Sequence, residues 1–130
     1  MPEKKQKKQP GKRILIVEDE HPLAHALELK FNHEGFDTVV ATNGRQALEE
    51  LQKENIHAVI LDLIMPEMDG FSFLDQLDGI KKTTKVIVVS NLGQKEDEER
   101  VMAHKNVAAY FVKSNTPITD IVEKVKSILS

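Results

Sequence analysis

Five short apolar runs constrain the fold of this chain more than any other feature of its sequence. Each has four or five residues, most of them β-branched, and none alternates apolar with polar side chains: 14–17, 38–41, 58–61, 86–89 and 108–112. A strand with one face in water alternates, whereas a strand of a parallel sheet is covered on both faces and reads as a continuous apolar run. The runs therefore predict five strands of a parallel sheet.

Amphipathic segments with helix-boundary residues separate these runs. The predicted helices cover 20–34, a segment capped by Asn43, 71–77, 94–105 and a final segment with apolar residues at 118, 121, 122, 125, 128 and 129. The first has Pro22 in its first turn and stops at Gly35, and Thr116 is expected to cap the last, with Pro117 at its first position. Strands that alternate with helices build right-handed βαβ units, so one α/β domain with a doubly wound sheet is predicted.

The first residues of the chain differ in composition from the rest. Residues 1–13 carry six lysine or arginine residues against one glutamate, in a chain whose net charge is −3. A segment so poor in apolar residues cannot offset its ordering entropy by burial. We therefore expect residues 1–12 to form a flexible basic tail and residues 13–130 to form the domain. Because no aromatic residue interleaves the lysines, direct nucleic-acid binding is not expected.

The absence of cysteine and of long apolar segments excludes several protein classes. With no cysteine in the sequence, a disulfide framework and a thiolate metal site are excluded, which fits a reducing compartment. The longest apolar run, about five residues, is far shorter than the roughly 18 of a membrane span, and too short for the core of a signal peptide. We therefore expect a cytoplasmic protein without membrane contact.

Chemically active side chains stand where four of the predicted strands end. Glu18 and Asp19 follow the first run, Asp62 the third, Ser90 the fourth and Lys113 the fifth. In such sheets, ligands bind beyond the carboxyl ends of the strands. Clustered carboxylates repel one another unless a divalent cation binds, and oxygen ligands favour Mg²⁺ or Mn²⁺. A carboxylate can also accept a phosphoryl group, whose charge the ammonium and the hydroxyl would neutralise.

These motifs resemble the receiver domains of two-component response regulators. The matching pieces are ILIVEDE at 14–20, DLIMPEMDG at 62–70, VVS at 88–90 and YFVK at 110–113. The resemblance covers about residues 13–130. It implies a flavodoxin-like sheet with strand order 2-1-3-4-5 and five helices.

The resemblance also implies roles for individual residues. Asp62 is the implied phosphoacceptor, Lys113 the phosphate-binding lysine, and Ser90 and Tyr110 the switch pair. The implied metal ligands, for Mg²⁺ or Mn²⁺, are Asp19, Asp62, Glu18 through water and the backbone carbonyl of Ile64.

The implied function is that of a single-domain response regulator. A histidine kinase or histidine phosphotransfer protein would phosphorylate Asp62. Because the sequence ends directly after the last helix, output is expected through a downstream protein partner or onward phosphorelay. The alternative is an enzyme, an aspartyl-phosphate phosphatase or phosphotransferase on a similar fold. Such enzymes usually carry an acid two residues after the nucleophile, where this chain has Ile64, so a turnover enzyme is not expected.

Six further positions carry expectations of their own. Asn91 stands where the family commonly has a small residue, and Asn106 is expected to adopt the left-handed conformation in place of a glycine. Ile64 and Leu92, each two residues past a site residue, are expected to flank the approach of the hydrolytic water and to make the aspartyl-phosphate long-lived. His21 and His25 stand four residues apart on a helix without the glutamate of a zinc-protease motif, so they are interpreted as surface residues.

Overall fold

A computed structural model describes residues 12–53, 55–65, 67–80 and 83–130. The predicted flexible tail lies outside the described residues apart from Lys12. The elements in chain order are β1 (Arg13–Val17), α1 (His21–His33), β2 (Asp37–Ala41), α2 (Gly44–Lys53), β3 (Ala58–Leu61), α3 (Gly70–Ile80), β4 (Lys85–Ser90), α4 (Lys95–Met102), β5 (Val107–Val112) and α5 (Ile118–Leu129). All five predicted strands are therefore confirmed.

The five strands form one parallel sheet in the order β2-β1-β3-β4-β5, which confirms the predicted topology. The register aligns the last residues of the strands, since Val17 pairs with both Ala41 and Leu61. At the other side of the sheet, Ser90 pairs with Val112. The loops after β1, β3, β4 and β5 therefore meet at one edge of the sheet.

Helices cover both faces of the sheet, and each face has its own apolar core. The helices α1 and α5 pack against one face, where Ile16 and Ile60 are buried. The helices α2, α3 and α4 contribute side chains to the other face, where Leu15 and Leu61 are buried. Burying one such side chain stabilises the fold by about 1.5–3 kcal/mol. This two-sided burial is why the strands read as continuous apolar runs.

Helix boundaries follow the local sequence signals in most places. The side chain of Asn43 accepts a hydrogen bond of 2.8 Å from the amide of Gln46, which confirms the predicted cap. Gly35 follows α1 with a φ of 99°, a conformation that favours glycine. The helix α3 is longer than predicted, because Gly79 continues the helix, whereas α4 ends at Met102, before the predicted boundary at 105.

Two local predictions are wrong. Thr116 does not cap α5: its hydroxyl donates to the Val112 carbonyl at 2.8 Å, because the 3₁₀ turn that follows β5 returns the chain to that carbonyl. Asn106 is not left-handed, since Glu67, with a φ of 67°, is the one non-glycine residue with positive φ in the described ranges. The Asn106 side chain is buried instead, and its Nδ2 donates to the Thr84 carbonyl at 2.7 Å.

The described part of the chain has no helix with the length and hydropathy that crossing a membrane requires.

Candidate functional site

The carboxyl ends of β1 and β3 carry two buried carboxylates side by side. The amide of Glu18 donates to the Ala41 carbonyl at 3.0 Å, and the amide of Asp62 donates to the Val17 carbonyl at 3.1 Å. The parallel hydrogen-bond pattern thus continues one residue past each strand and brings both side chains to the same edge. Their exposed fractions are 3% for Glu18 and 6% for Asp62, so the sheet withdraws both carboxyl groups from water.

Lys113, directly after β5, reaches these carboxylates. Its Nζ lies 2.8 Å from Asp62 Oδ2, 2.8 Å from Glu20 Oε1 and 3.1 Å from Glu18 Oε1. Burial acts to lower the pKa of Lys113, but hydrogen bonds to Asp62 and Glu20 outweigh it and hold the pKa above its ordinary value. The site therefore contains a permanent positive charge at neutral pH.

The Glu18 carboxyl group is both buried and close to another carboxylate. Burial raises the pKa of Glu18 to about 7, with the neighbouring charge of Asp62 acting in the same direction. The Glu20 amide, a 3.1 Å donor to Glu18 Oε2, and Lys113 oppose this rise without cancelling it. Lys113 does hold the pKa of the exposed Glu20 carboxyl below its usual value. A divalent cation would relieve the remaining repulsion between buried carboxylates.

The acidic residues also fit a metal ion by their donor chemistry. Ligand oxygens of Glu18, Asp19 and Asp62 all lie within 4.8 Å of one another. Three carboxylates without histidine or cysteine match the preference of Mg²⁺ and Mn²⁺ for oxygen. Across the described ranges, no other three such residues come this close. His21 and His25 are exposed on α1, in agreement with the surface interpretation.

An open cavity of about 270 Å³ gives access to these groups. Its lining residues are Asp19, Glu20, Asp62, Ile64, Asn91 and Lys113. Ile64 is 57% exposed at this cavity, and its amide donates to Asp62 Oδ1 at 3.1 Å. A larger cavity, about 540 Å³, lies beside His104 and Asn106 at the opposite, amino end of β5. This larger cavity is remote from the buried carboxylates, so the smaller cavity is the candidate functional site.

Leu92 does not take the predicted place beside Ile64. It is absent from the residues that line the cavity, and its side chain packs against the core formed with α2, α3 and α4. The prediction that Leu92 flanks the approaching water is therefore wrong. The physical reason is that the chain turns after Ser90 so that the partly buried Leu92 side chain packs against this core.

The backbone of Leu92 instead connects Ser90 with Tyr110. The Leu92 amide donates to Ser90 Oγ at 3.4 Å, and the Tyr110 hydroxyl donates to the Leu92 carbonyl. Ser90 is fully buried and Tyr110 is half-buried. Burial raises the pKa of Tyr110, and the acidic residues Asp97 and Glu98 add to the effect, so the phenol stays neutral. Leu92 thus links the buried Ser90 to Tyr110 on β5, the last strand of the sheet.

Two further residues of the site make contacts between distant parts of the chain. Glu20 was interpreted as part of a helix start, yet it contacts Lys113, 93 positions away. Asn91 stands where the family commonly has a small residue, and its Oδ1 accepts a 2.9 Å hydrogen bond from the amide of Ser114, 23 positions away. Asn91 thereby ties the loop after β4 to the residue that follows Lys113. The only sequence signal for either residue is its position next to a predicted site residue.

Comparison with known proteins gives consistent matches. The family model described as a response regulator receiver domain matches residues 14–126. Sporulation initiation phosphotransferase F of Bacillus subtilis is 37% identical over 84 residues, which cover 65% of this chain and 68% of that protein. Transcriptional regulatory protein SrrA of Staphylococcus aureus is 34% identical over 117 residues, 89% of this chain. The chain spans only about half of SrrA, 47% of its length.

Solved structures agree with the sequence matches. Response regulator protein TrrA of Thermotoga maritima, in complex with Mg(2+)-BeF, has a TM-score of 0.78 and 31% identity, covering 89% of this chain and 97% of that one. A CheY-like receiver domain protein of Methanospirillum hungatei has a TM-score of 0.84 over 91% of this chain and 93% of that one. Its identity is 24%, so this second match supports the fold alone.

Proposed function

The chain belongs to the family of response regulator receiver domains, and from this premise we propose that Asp62 is the residue that accepts the phosphoryl group. The observation that carries the proposal is that a buried carboxylate, an ammonium group and a candidate metal site meet at one open cavity. The Asp62 carboxylate is buried, lies 2.8 Å from the Lys113 ammonium, and has an oxygen within 4.8 Å of ligand oxygens of Glu18 and Asp19. A nucleophile, a fixed cation and a divalent-metal site in contact are what phosphoryl transfer requires.

In the proposed reaction, an Asp62 carboxylate oxygen attacks the phosphorus of the donor. The new oxygen–phosphorus bond forms while the bond to the donor's leaving atom breaks, and the leaving atom keeps the electron pair. Lys113 neutralises charge on the transferred oxygens. Asp19 and Asp62, with Glu18 through water and the Ile64 carbonyl, would hold Mg²⁺ or Mn²⁺, which supplies further charge neutralisation when bound. The Ile64 amide, 3.1 Å from Asp62 Oδ1, orients the carboxylate.

The phosphorylated state is proposed to act through Ser90 and Tyr110. A phosphoryl oxygen on Asp62 would accept a hydrogen bond from the Ser90 hydroxyl, which now faces the Leu92 amide. Because Tyr110 donates to the carbonyl of the same Leu92, a shift of this loop changes the surface at β5. The donor would be a histidine kinase or histidine phosphotransfer protein, and the output a protein contact or onward transfer. The cytoplasmic location and the lack of nucleic-acid binding stay predictions.

We propose a single labelling event per chain rather than enzymatic turnover. Two residues after Asp62, the cavity is lined by the apolar Ile64, which cannot act as a general acid or base. The aspartyl-phosphate would therefore accumulate instead of passing rapidly to water.

The test is incubation with Mg²⁺ and acetyl phosphate, followed by intact-mass spectrometry. We expect one phosphoryl group per chain in the unaltered protein and none in Asp62→Asn. The matched control is Asp69→Asn, in the same loop. Asp69 Oδ1 accepts a 2.9 Å hydrogen bond from the Ser72 amide at the start of α3, a cap that asparagine can also make. Labelling that persists in Asp62→Asn at the unaltered rate would refute the assignment, and repeated turnover of a phosphomonoester would favour the enzyme alternative.

A further inference from the structure

The Lys113 ammonium has no donor left over for a phosphoryl group. An ammonium carries three N–H donors. Three carboxylates surround it: Glu20 and Asp62 at 2.8 Å, and Glu18 at 3.1 Å. If Lys113 binds the phosphoryl oxygens, as the proposed function requires, then one of these carboxylates has to leave it.

The three carboxylates differ sharply in how freely they can leave. The side chains of Glu18 and Asp62 are only 4% and 6% exposed. Each also accepts a backbone hydrogen bond, from Glu20 and Ile64 respectively. The side chain of Glu20 is 62% exposed, so it can rotate into water at little cost in solvation. Glu20 is therefore the partner that Lys113 releases most easily.

Glu20 also lies where its charge opposes the incoming group. It lines the same cavity as Asp62 and Lys113. A phosphoryl group brings negative charge into this cavity, and like charges at short range destabilise each other. While Glu20 remains on Lys113, it both occupies the lysine and repels the phosphoryl oxygens.

From these contacts we propose that Glu20 is the exchangeable counter-ion of Lys113, a positioning residue that must leave the lysine before the phosphoryl group on Asp62 can bind it. The proposal rests on the proposed function of Asp62. Glu20 thereby lowers the affinity of the site for phosphoryl groups. In the absence of a phosphoryl group it keeps Lys113 paired at the mouth of the site.

The test uses beryllium trifluoride as the phosphoryl mimic, titrated by calorimetry at saturating Mg²⁺. Glu20→Gln keeps the shape of the side chain and removes its charge, and Glu20→Ala removes the whole carboxylate. Both variants should bind the mimic more tightly, by up to about fivefold, the factor expected from an exposed ion pair. Glu49→Gln, an exposed glutamate on α2, is the matched control and should bind as the unaltered protein does.

A second titration, with Mg²⁺ alone, separates this role from a structural one. Removing a negative charge does not favour a cation, so the Mg²⁺ affinity of Glu20→Gln should stay the same or fall while the affinity for the mimic rises. Unchanged or weaker binding of the mimic, tightening in Glu20→Ala alone, or a parallel rise in Mg²⁺ affinity would each overturn the proposal. If the unaltered protein binds no mimic at all, the proposed function of Asp62 fails first, so the two failures are distinguishable.

Discussion

The sharpest stability prediction compares one substitution at two glycines of α3. Gly70 begins the helix and packs directly on the segment that carries Asp62. A Cβ added at Gly70 would lie 2.6 Å from Leu63 Cα and 3.0 Å from the Asp62 carbonyl oxygen. These are backbone atoms, so Gly70→Ala must displace the segment that carries Asp62, the proposed phosphoacceptor. At Gly79, in the last turn of the same helix, an added Cβ meets nothing within 4 Å.

The two substitutions should therefore change stability in opposite directions. Overpacking against backbone costs typically about 1–3 kcal/mol, so Gly70→Ala should lower the free energy of unfolding by that amount. Alanine is favoured over glycine in a helix by about 0.5–1 kcal/mol, so Gly79→Ala should raise it. Both variants restrict the unfolded chain equally. Their difference of roughly 1.5–4 kcal/mol therefore reports the close approach at Gly70.

The assay is urea unfolding followed by circular dichroism, with acetyl phosphate labelling of each variant as a second measurement. We expect a lower midpoint and slower labelling for Gly70→Ala, and a higher midpoint with unchanged labelling for Gly79→Ala. A Gly70→Ala protein at least as stable as Gly79→Ala would refute the steric argument. Normal labelling of a destabilised Gly70→Ala would refute the inferred link between this packing and the position of Asp62.

Two further substitutions test the site, and a third tests a residue with positive φ between β3 and α3. Asp19→Asn removes a proposed metal ligand and eases the repulsion between carboxylates, so the rise in melting temperature caused by Mg²⁺ should shrink; an unchanged rise would contradict the ligand role. Ile64→Asn places an amide at the cavity beside Asp62, where it can hydrogen-bond the hydrolytic water. If this lowers the activation free energy by about 1.4 kcal/mol, decay of the phosphorylated mass after donor removal should accelerate about tenfold; unaltered decay would count against this role. Glu67→Gly should raise the urea midpoint, because the φ of 67° strains a side chain by about 1 kcal/mol, only partly offset by glycine's freedom in the unfolded chain; a lower midpoint would show that Glu67 is unstrained.

The sequence by itself determined where the strands lie, that both of their faces are buried, and at which edge of the sheet the acidic residues meet. A strand of a parallel sheet that is covered on both faces needs an uninterrupted apolar run. The apolar residues 14–17 and 58–61 therefore predict their own burial, and all of them are buried. Local signals succeeded where both partners lie within one helical turn, as for Asn43 and Gln46. The resemblance to receiver domains supplied the strand order, which the structure confirms.

Only the tertiary structure decided which side chains become hydrogen-bond or packing partners across the chain. Glu20 meets Lys113 across 93 positions, and Asn106 gives its amide to Thr84 across 22 positions rather than turning left-handed. Leu92 is partly buried against the core formed with α2, α3 and α4, although the sequence predicted it beside Ile64 at the site. Each of these outcomes depends on the register of neighbouring strands and on which loop lies close enough to a given carbonyl or ammonium group to contact it. The periodicity of apolar residues indicates which side of one segment packs on the sheet. The pairs named here form between groups that come within hydrogen-bonding or packing distance only when the whole sheet is folded, so periodicity does not predict them.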